Sequence, residues 1–328
     1  MEAALLETHR SGRINLPLVV ARFDQSDLLK KFTVSSLDAP HRVADAIFRD
    51  SLLDGTIFRK SEKGQILDTA DVRDATGLFG LCPTALVFGL WDSTGPRGGL
   101  GAKFQRTIVS EMTGYEAIAG VKTSSRIDPA QTMLGAGPLY HRKGQSDDAP
   151  DWTRDSKAGG KKLGKDGKPS EANHGNVTPG ITSGGFTISK AVQTTVLSLT
   201  CLRRLRFPLE GAADSDPKVD QAARTVLAVL GLAAAVLSHN EMTDLRSRCQ
   251  LFPTDQGAWE LLDEPGAESK TFSLSPDNAV QLLNDAVAAA RDLKLPWDGE
   301  VVLTPSAELV ELVFSRQKLA AASGEGDS

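Results

Sequence analysis

Residues Cys82–Asp128 read CPTALVFGLWDSTGPRGGLGAKFQRTIVSEMTGYEAIAGVKTSSRID, an apolar run that meets a glycine-rich bend and then a basic, small-polar exit. Ala85–Leu90 reads as a buried strand. Gly95, Gly98, Gly99 and Gly101 permit close backbone approach or positive φ. Arg97, Lys103, Arg106, Lys122 and Arg126 bring five positive charges into the same stretch. Exposed backbone N–H groups beside cations suit a chain of phosphates, so the stretch reads as polyanion-binding.

Outward from this stretch, Leu16–Phe23 predicts a strand. Asp38-Ala39-Pro40 predicts a helix start with Pro in the first turn. Phe104–Met112 predicts the beginning of a helix. In Ala191–Leu205, β-branched Val192, Thr194, Thr195 and Val196 favour a strand, whereas Val192, Val196, Leu199 and Leu202 have helical spacing; helix is the expectation. Helices are predicted from Pro217 to about His239 and from a Ser275-Pro276 cap, and strands at Leu245–Phe252 and Val301–Leu303. The order is that of an α+β fold without internal repeats.

Residues 141–185 hold eight Lys/Arg, six Asp/Glu and many Gly, with almost nothing apolar between Arg142 and Gly175. This reads as an exposed insertion, mobile when alone, within a single domain spanning 1–328. A disordered tail is expected at 319–328.

Bulk numbers narrow the function classes. Cys82, Cys201 and Cys249 lie far apart without a CxxC pair, which points to buried thiols rather than a disulfide framework or zinc ribbon. Glu2, Glu7 and Arg10 interrupt any apolar leader, and the run Val226–Leu237 is too short to span a bilayer. A soluble, cytoplasmic protein is expected. Net charge is −5, but residues 251–328 hold 14 acids against 5 bases, leaving the preceding 250 residues with 32 bases against 28 acids. A basic face for nucleic acid is compatible with that asymmetry, and so is an ordinary acidic surface.

No catalytic or cofactor motif emerges. The Walker A pattern fails because Ala102 separates Gly101 from Lys103 and Phe104 follows; G-x-G-x-x-G is also missing. His9, His41, His141, His174 and His239 show no metal-ligand spacing, and Asp147, Asp148 and Asp151 read as solvated loop charges. No cofactor, no metal and no enzyme activity are expected. Lys103 and Arg106 would neighbour each other on a helix, and Thr123, Ser124, Ser125 and Arg126 offer hydroxyls and a guanidinium in one short run. Arg126 could instead pair with Asp128. His41-Arg42 could meet phosphate at a helix start or simply be exposed. Arg203, Arg204 and Arg206 form a basic cluster for RNA or for a neighbouring subunit.

The motifs WDSTGPRGGLGAKFQR (Trp91–Arg106), GVKTSSRIDP (Gly120–Pro129), LDAPHRVADAIFRD (Leu37–Asp50) and GGFTISKAVQTTVLSLTCLRRLRFP (Gly184–Pro208) resemble the backbone subunit of type I CRISPR surveillance complexes. That family is the Cascade backbone of the RAMP superfamily, subtype I-U or I-G. Asp24-Gln25-Ser26 departs from the turn that follows its N-terminal strand. The resemblance implies a ferredoxin-like (RRM-like) palm with thumb and finger insertions, among them 141–185. It also implies head-to-tail copies in a helical filament on CRISPR guide RNA, target DNA paired through the guide, and other Cascade subunits as partners, with no membrane. The implied RNA-binding residues are Arg97, Gly98, Gly99, Gly101, Lys103, Arg106, Lys122, Ser124, Ser125, Arg126, His41 and Arg42, none of them catalytic. An endoribonuclease of the same superfamily that processes precursor CRISPR RNA is the alternative.

Overall fold

The computed structural model describes residues 1–92, 101–124, 137–144, 151–172, 180–212, 214–244, 249–262 and 264–323. They form two compact units, Met1–Glu111 with Thr194–Ser328, and Met112–Gln193. The fold is α+β.

The first unit is built on a five-stranded sheet in the order Phe32–Ser35, Leu18–Phe23, Glu300–Pro305, Ser51–Leu53, Thr56–Ile57. Its central pair is parallel, with Leu18 opposite Glu300 and Ala21 opposite Leu303. All its other neighbours are antiparallel. Leu18, Val19, Val20, Ala21 and Phe23 are buried, as expected of a central strand covered on both faces, whereas Glu300–Pro305 alternates exposed and buried. The core therefore closes only when the two ends of the chain meet.

The helix Pro217–His239 is the spine of this unit. Asp216 caps it by accepting the Lys218 and Val219 N–H groups, and Pro217 sits in the first turn. It packs against the helices Pro276–Asp292, Glu2–Arg10, Thr84–Phe88 and Leu199–Arg203. By length and composition it is the one helix among the described residues apolar enough to cross a membrane. Its apolar residues from Val219 to Leu237 are, however, largely buried in this core. Phe79 meets Phe207 edge-on at 5.6 Å and Trp297 at 5.4 Å beside it.

Both long C-terminal helix predictions hold, since Ser275 caps Pro276–Asp292 by accepting the Asn278 N–H. Several others are corrected. Ala85–Leu90 is not a strand: Thr84–Phe88 is helical, and the strand is only Leu90–Trp91. Every residue from Thr84 to Phe88 is buried, and periodicity cannot separate a wholly buried helix from a buried strand. Phe104–Met112 is not a helix start but holds the end of the strand Lys103–Phe104 and most of Ile108–Tyr115. Lys190–Leu197 is a strand paired with Ile108–Tyr115, and the helix begins only at Leu199. In both, β-branched side chains outweigh helical spacing. Asp38 caps no helix; its carboxylate accepts from the Ser35 N–H and hydroxyl, and Asp45 caps the next helix, Ala46–Arg49. The predicted strand at Leu245–Phe252 is Gln250–Leu251, and residues 245–248 lie outside the described residues. The helix Ala307–Ser323 runs into the stretch read as a disordered tail.

The second unit is made of antiparallel strands. Ile118–Ser124 pairs with Gly180–Thr187, and Tyr140–Arg142 lies between Trp152–Thr153 and Gly159–Lys162. Within the segment read as a mobile insertion, Trp152–Thr153 and Gly159–Lys162 are short strands, and Leu163 is buried.

Candidate nucleic-acid interface

The glycine-rich bend stands on a defined stem. Gly89, at φ +87°, ends the helix Thr84–Phe88 in a conformation that disfavours any side chain. Leu90 then pairs with Phe104 and Trp91 with Lys103. Leu90 and Phe104 are buried, so the alternation turns Trp91 and Lys103 outward. The Lys103 ammonium lies 5.2 Å from the centre of the Trp91 ring.

One residue further, the stem is locked. The Asp92 N–H donates to the Ala102 carbonyl at 2.9 Å. The Asp92 side chain is only 2% exposed and lies 2.7 Å from the Arg59 guanidinium, which also pairs with Asp68. Gly101 permits this closure, because a Cβ there would sit 2.6 Å from the Asp92 carbonyl oxygen. Close approach is therefore the role of this glycine. Arg97, Gly98 and Gly99 lie outside the described residues.

Lys103 and Arg106 are both exposed. They belong to a strand and the irregular segment after it, not to one helical face. Beside Lys103, a cleft of about 170 Å³ is lined by Val72, Leu86, Gln105, Cys201, Arg204 and Leu205 among others, without an acidic side chain among the described residues. Arg42 and Arg106 both approach Gly89: Arg42 donates to its carbonyl at 2.8 Å, and a Cβ on Gly89 would meet the Arg106 Cγ at 3.0 Å. Arg42 is nevertheless a structural group, ion-paired to Glu2 and lying over the Phe88 ring, while His41 is exposed.

Arg206, read as part of a basic cluster, has an acid beside it. Asp220, buried in the spine helix, accepts from Arg224 at 2.9 Å and from the Phe207 N–H at 2.8 Å, and lies 3.5 Å from Arg206. That acid is 14 residues on in sequence, beyond the reach of a local reading. Burial lowers the Arg224 pKa against the pull of Asp220. Burial likewise pushes the Cys82 thiol up, which keeps it protonated, while Cys201 and Cys249 are half-buried.

Lys122 and Ser124 lie on the strand Ile118–Ser124 in the second unit, opposite Thr182 and Gly180; Ser125 and Arg126 lie outside the described residues. In the same unit the Glu171 carboxylate accepts from the N–H groups of Lys165, Asp166 and Lys168. The Asp166 and Lys168 N–H groups hold it below the usual carboxylate range, so this lysine-rich loop carries an internal anion. Among the described residues no group of three or more His, Cys, Asp or Glu is placed to hold a metal ion.

Gly101, Lys103 and Arg106 are therefore brought together on one stem. Trp91, Arg59 and Asp92 were missed by sequence reasoning. Trp91 was within reach, from its alternation with buried Leu90; the Arg59–Asp92 pair spans 33 positions and leaves no local signal.

Residues 1–119 match the family described as CRISPR-associated protein GSU0053 (Cas_GSU0053). The match takes in the sheet's first four strands and the whole stem, and supports a CRISPR-associated protein. No curated protein matches the chain.

Proposed function

We propose that this chain is a non-catalytic RNA-binding backbone subunit of a type I-U/I-G Cascade complex. It would oligomerise along CRISPR guide RNA and present the guide for pairing with invading DNA in antiviral defence. The observation that carries the reading is the stem: a CRISPR-associated family match ends just past a locked hairpin that holds Lys103 and Arg106 in solvent. Side-chain cations on a rigid frame contact phosphate without reading sequence, which a carrier of varying guides requires. Base edges then stay free to pair.

The parallel central pair flanked by antiparallel strands supports the RAMP, ferredoxin-like palm at the level of strand pairing. Copies of itself in a helical filament and other Cascade subunits are the proposed partners, with the cytoplasm as the proposed site of action. No cofactor enters the proposal.

Sizing and electrophoresis with a CRISPR RNA across a salt series test it. Discrete, high-mass complexes with intact RNA are expected. The Lys103→Ala/Arg106→Ala variant should flatten the log–log salt slope by about 1.4, at about 0.7 per phosphate on single strands. RNA left free at low salt in the presence of partner subunits would sink the proposal. RNA cut at fixed positions would favour the processing endoribonuclease.

A further inference from the structure

We infer that Trp91 is a stacking platform for an unpaired RNA base, with Lys103 holding the phosphate beside it. The inference deepens the RNA-binding reading and rests on it. Of the four tryptophans, Trp152, Trp259 and Trp297 are half-buried, and the Trp297 ring nitrogen donates to the Asn15 carbonyl at 2.6 Å. Trp91 alone is open, with 59% of its surface exposed.

That exposure is imposed by the backbone. The pairing of Leu90 with Phe104 fixes which side chains of the stem face the core, and Trp91 cannot turn inward without expelling them. The next residue, Asp92, is held by Arg59 and by the Ala102 carbonyl, so the stem cannot twist to hide the indole. A large flat apolar face is thus presented on a fixed mount, which lowers the ordering cost of any partner that stacks on it.

The surroundings select the partner's chemistry. A cation stands 5.2 Å from the ring centre, and the cleft beside Lys103 adds Gln105 and Arg204 with no acid among its described lining residues. An apolar peptide would leave these donors unused. A nucleotide uses both parts, because its base offers a π-face to the indole and its phosphate offers charge to the ammonium. Stacking tolerates any base, as a carrier of varied guides needs.

The test compares a 12-nucleotide oligouridine with an abasic oligomer of the same backbone, using the full chain. Trp91→Ala should weaken oligouridine binding about tenfold, as expected for loss of one stacked base. Abasic binding and both salt slopes should stay unchanged. Lys103→Ala should instead flatten the salt slope on both oligomers by about 0.7. Oligouridine should quench tryptophan fluorescence in the parent chain and much less in Trp91→Phe. Equal weakening on both oligomers, or none on either, overturns the stacking role while leaving RNA binding intact. Trp91→Ala that alters self-association without RNA would assign the indole to a protein interface and also overturn it. A parent chain that binds neither oligomer removes the RNA reading and this inference together.

Discussion

The stem under the glycine-rich bend and the antiparallel ribbon of the second unit are both two-stranded, yet they are held in opposite ways. In the stem, Leu90, Ala102 and Phe104 are buried, and the Asp92–Arg59 pair locks the open end. In the ribbon, Ile118, Val121 and Phe186 are each at least 70% exposed. Two strands alone are marginal in water. The stem is made firm by the core and by a buried charge pair, whereas the ribbon has little beyond its own hydrogen bonds. A firmly packed stem and an exposed ribbon are thus encoded in the same chain by what lies behind each strand, not by strand propensity.

The sharpest way to break this contrast is Arg59→Ala. Asp92 would stay buried without its cationic partner, and Asp68 would lose the same guanidinium. Leaving a buried charge uncompensated costs about 3–5 kcal/mol, so urea unfolding of the first unit should shift by that amount. Arg59→Lys should recover only part of the loss, since a single ammonium cannot fork between two carboxylates. A shift below about 1 kcal/mol, the range of a surface pair, would mean that the stem is not locked by this contact.

Gly101→Ala tests the same lock from the other side. The added methyl would lie 2.6 Å from the Asp92 carbonyl oxygen and 2.8 Å from its carboxylate, both held by the pairing around them. Overpacking of this kind costs about 1–3 kcal/mol. A thermal midpoint equal to that of the parent chain would show that the hairpin relaxes freely and that the close approach is incidental.

What the sequence alone makes legible follows the same division. Helix openings made of neighbouring residues were legible: Pro217 and the Ser275-Pro276 cap open the helices they announce. So was the short strand at Val301–Leu303, which lies inside Glu300–Pro305. Thr84–Phe88 was misread because a run buried on every side loses its period. Lys190–Leu197 is a strand where helical spacing pointed to a helix, because its β-branched residues prevail, and Ile108–Tyr115 is a strand where a helix start is expected. At the site, the exposed cations and the need for close approach at Gly101 were legible. The partners that settle which cations are free were not: Glu2 takes Arg42 across 40 positions, and Asp220 takes Arg206 from another element. Long-range pairing of charges leaves no trace in local composition.

The smallest expected effect sharpens the ribbon's half of the comparison. Phe186 is 73% exposed and sits opposite Ala119, so Phe186→Ser removes little buried surface. The expected change in stability of the isolated chain is within about 0.5 kcal/mol, as for surface sites away from caps and networks. The same variant in an assembled complex is the informative arm. A ribbon that is an arm waiting for a partner would lose complex stability there while its monomer melts unchanged. A monomer that melts much earlier would instead show that Phe186 is covered within the chain, and the contrast between locked stem and open ribbon would fall.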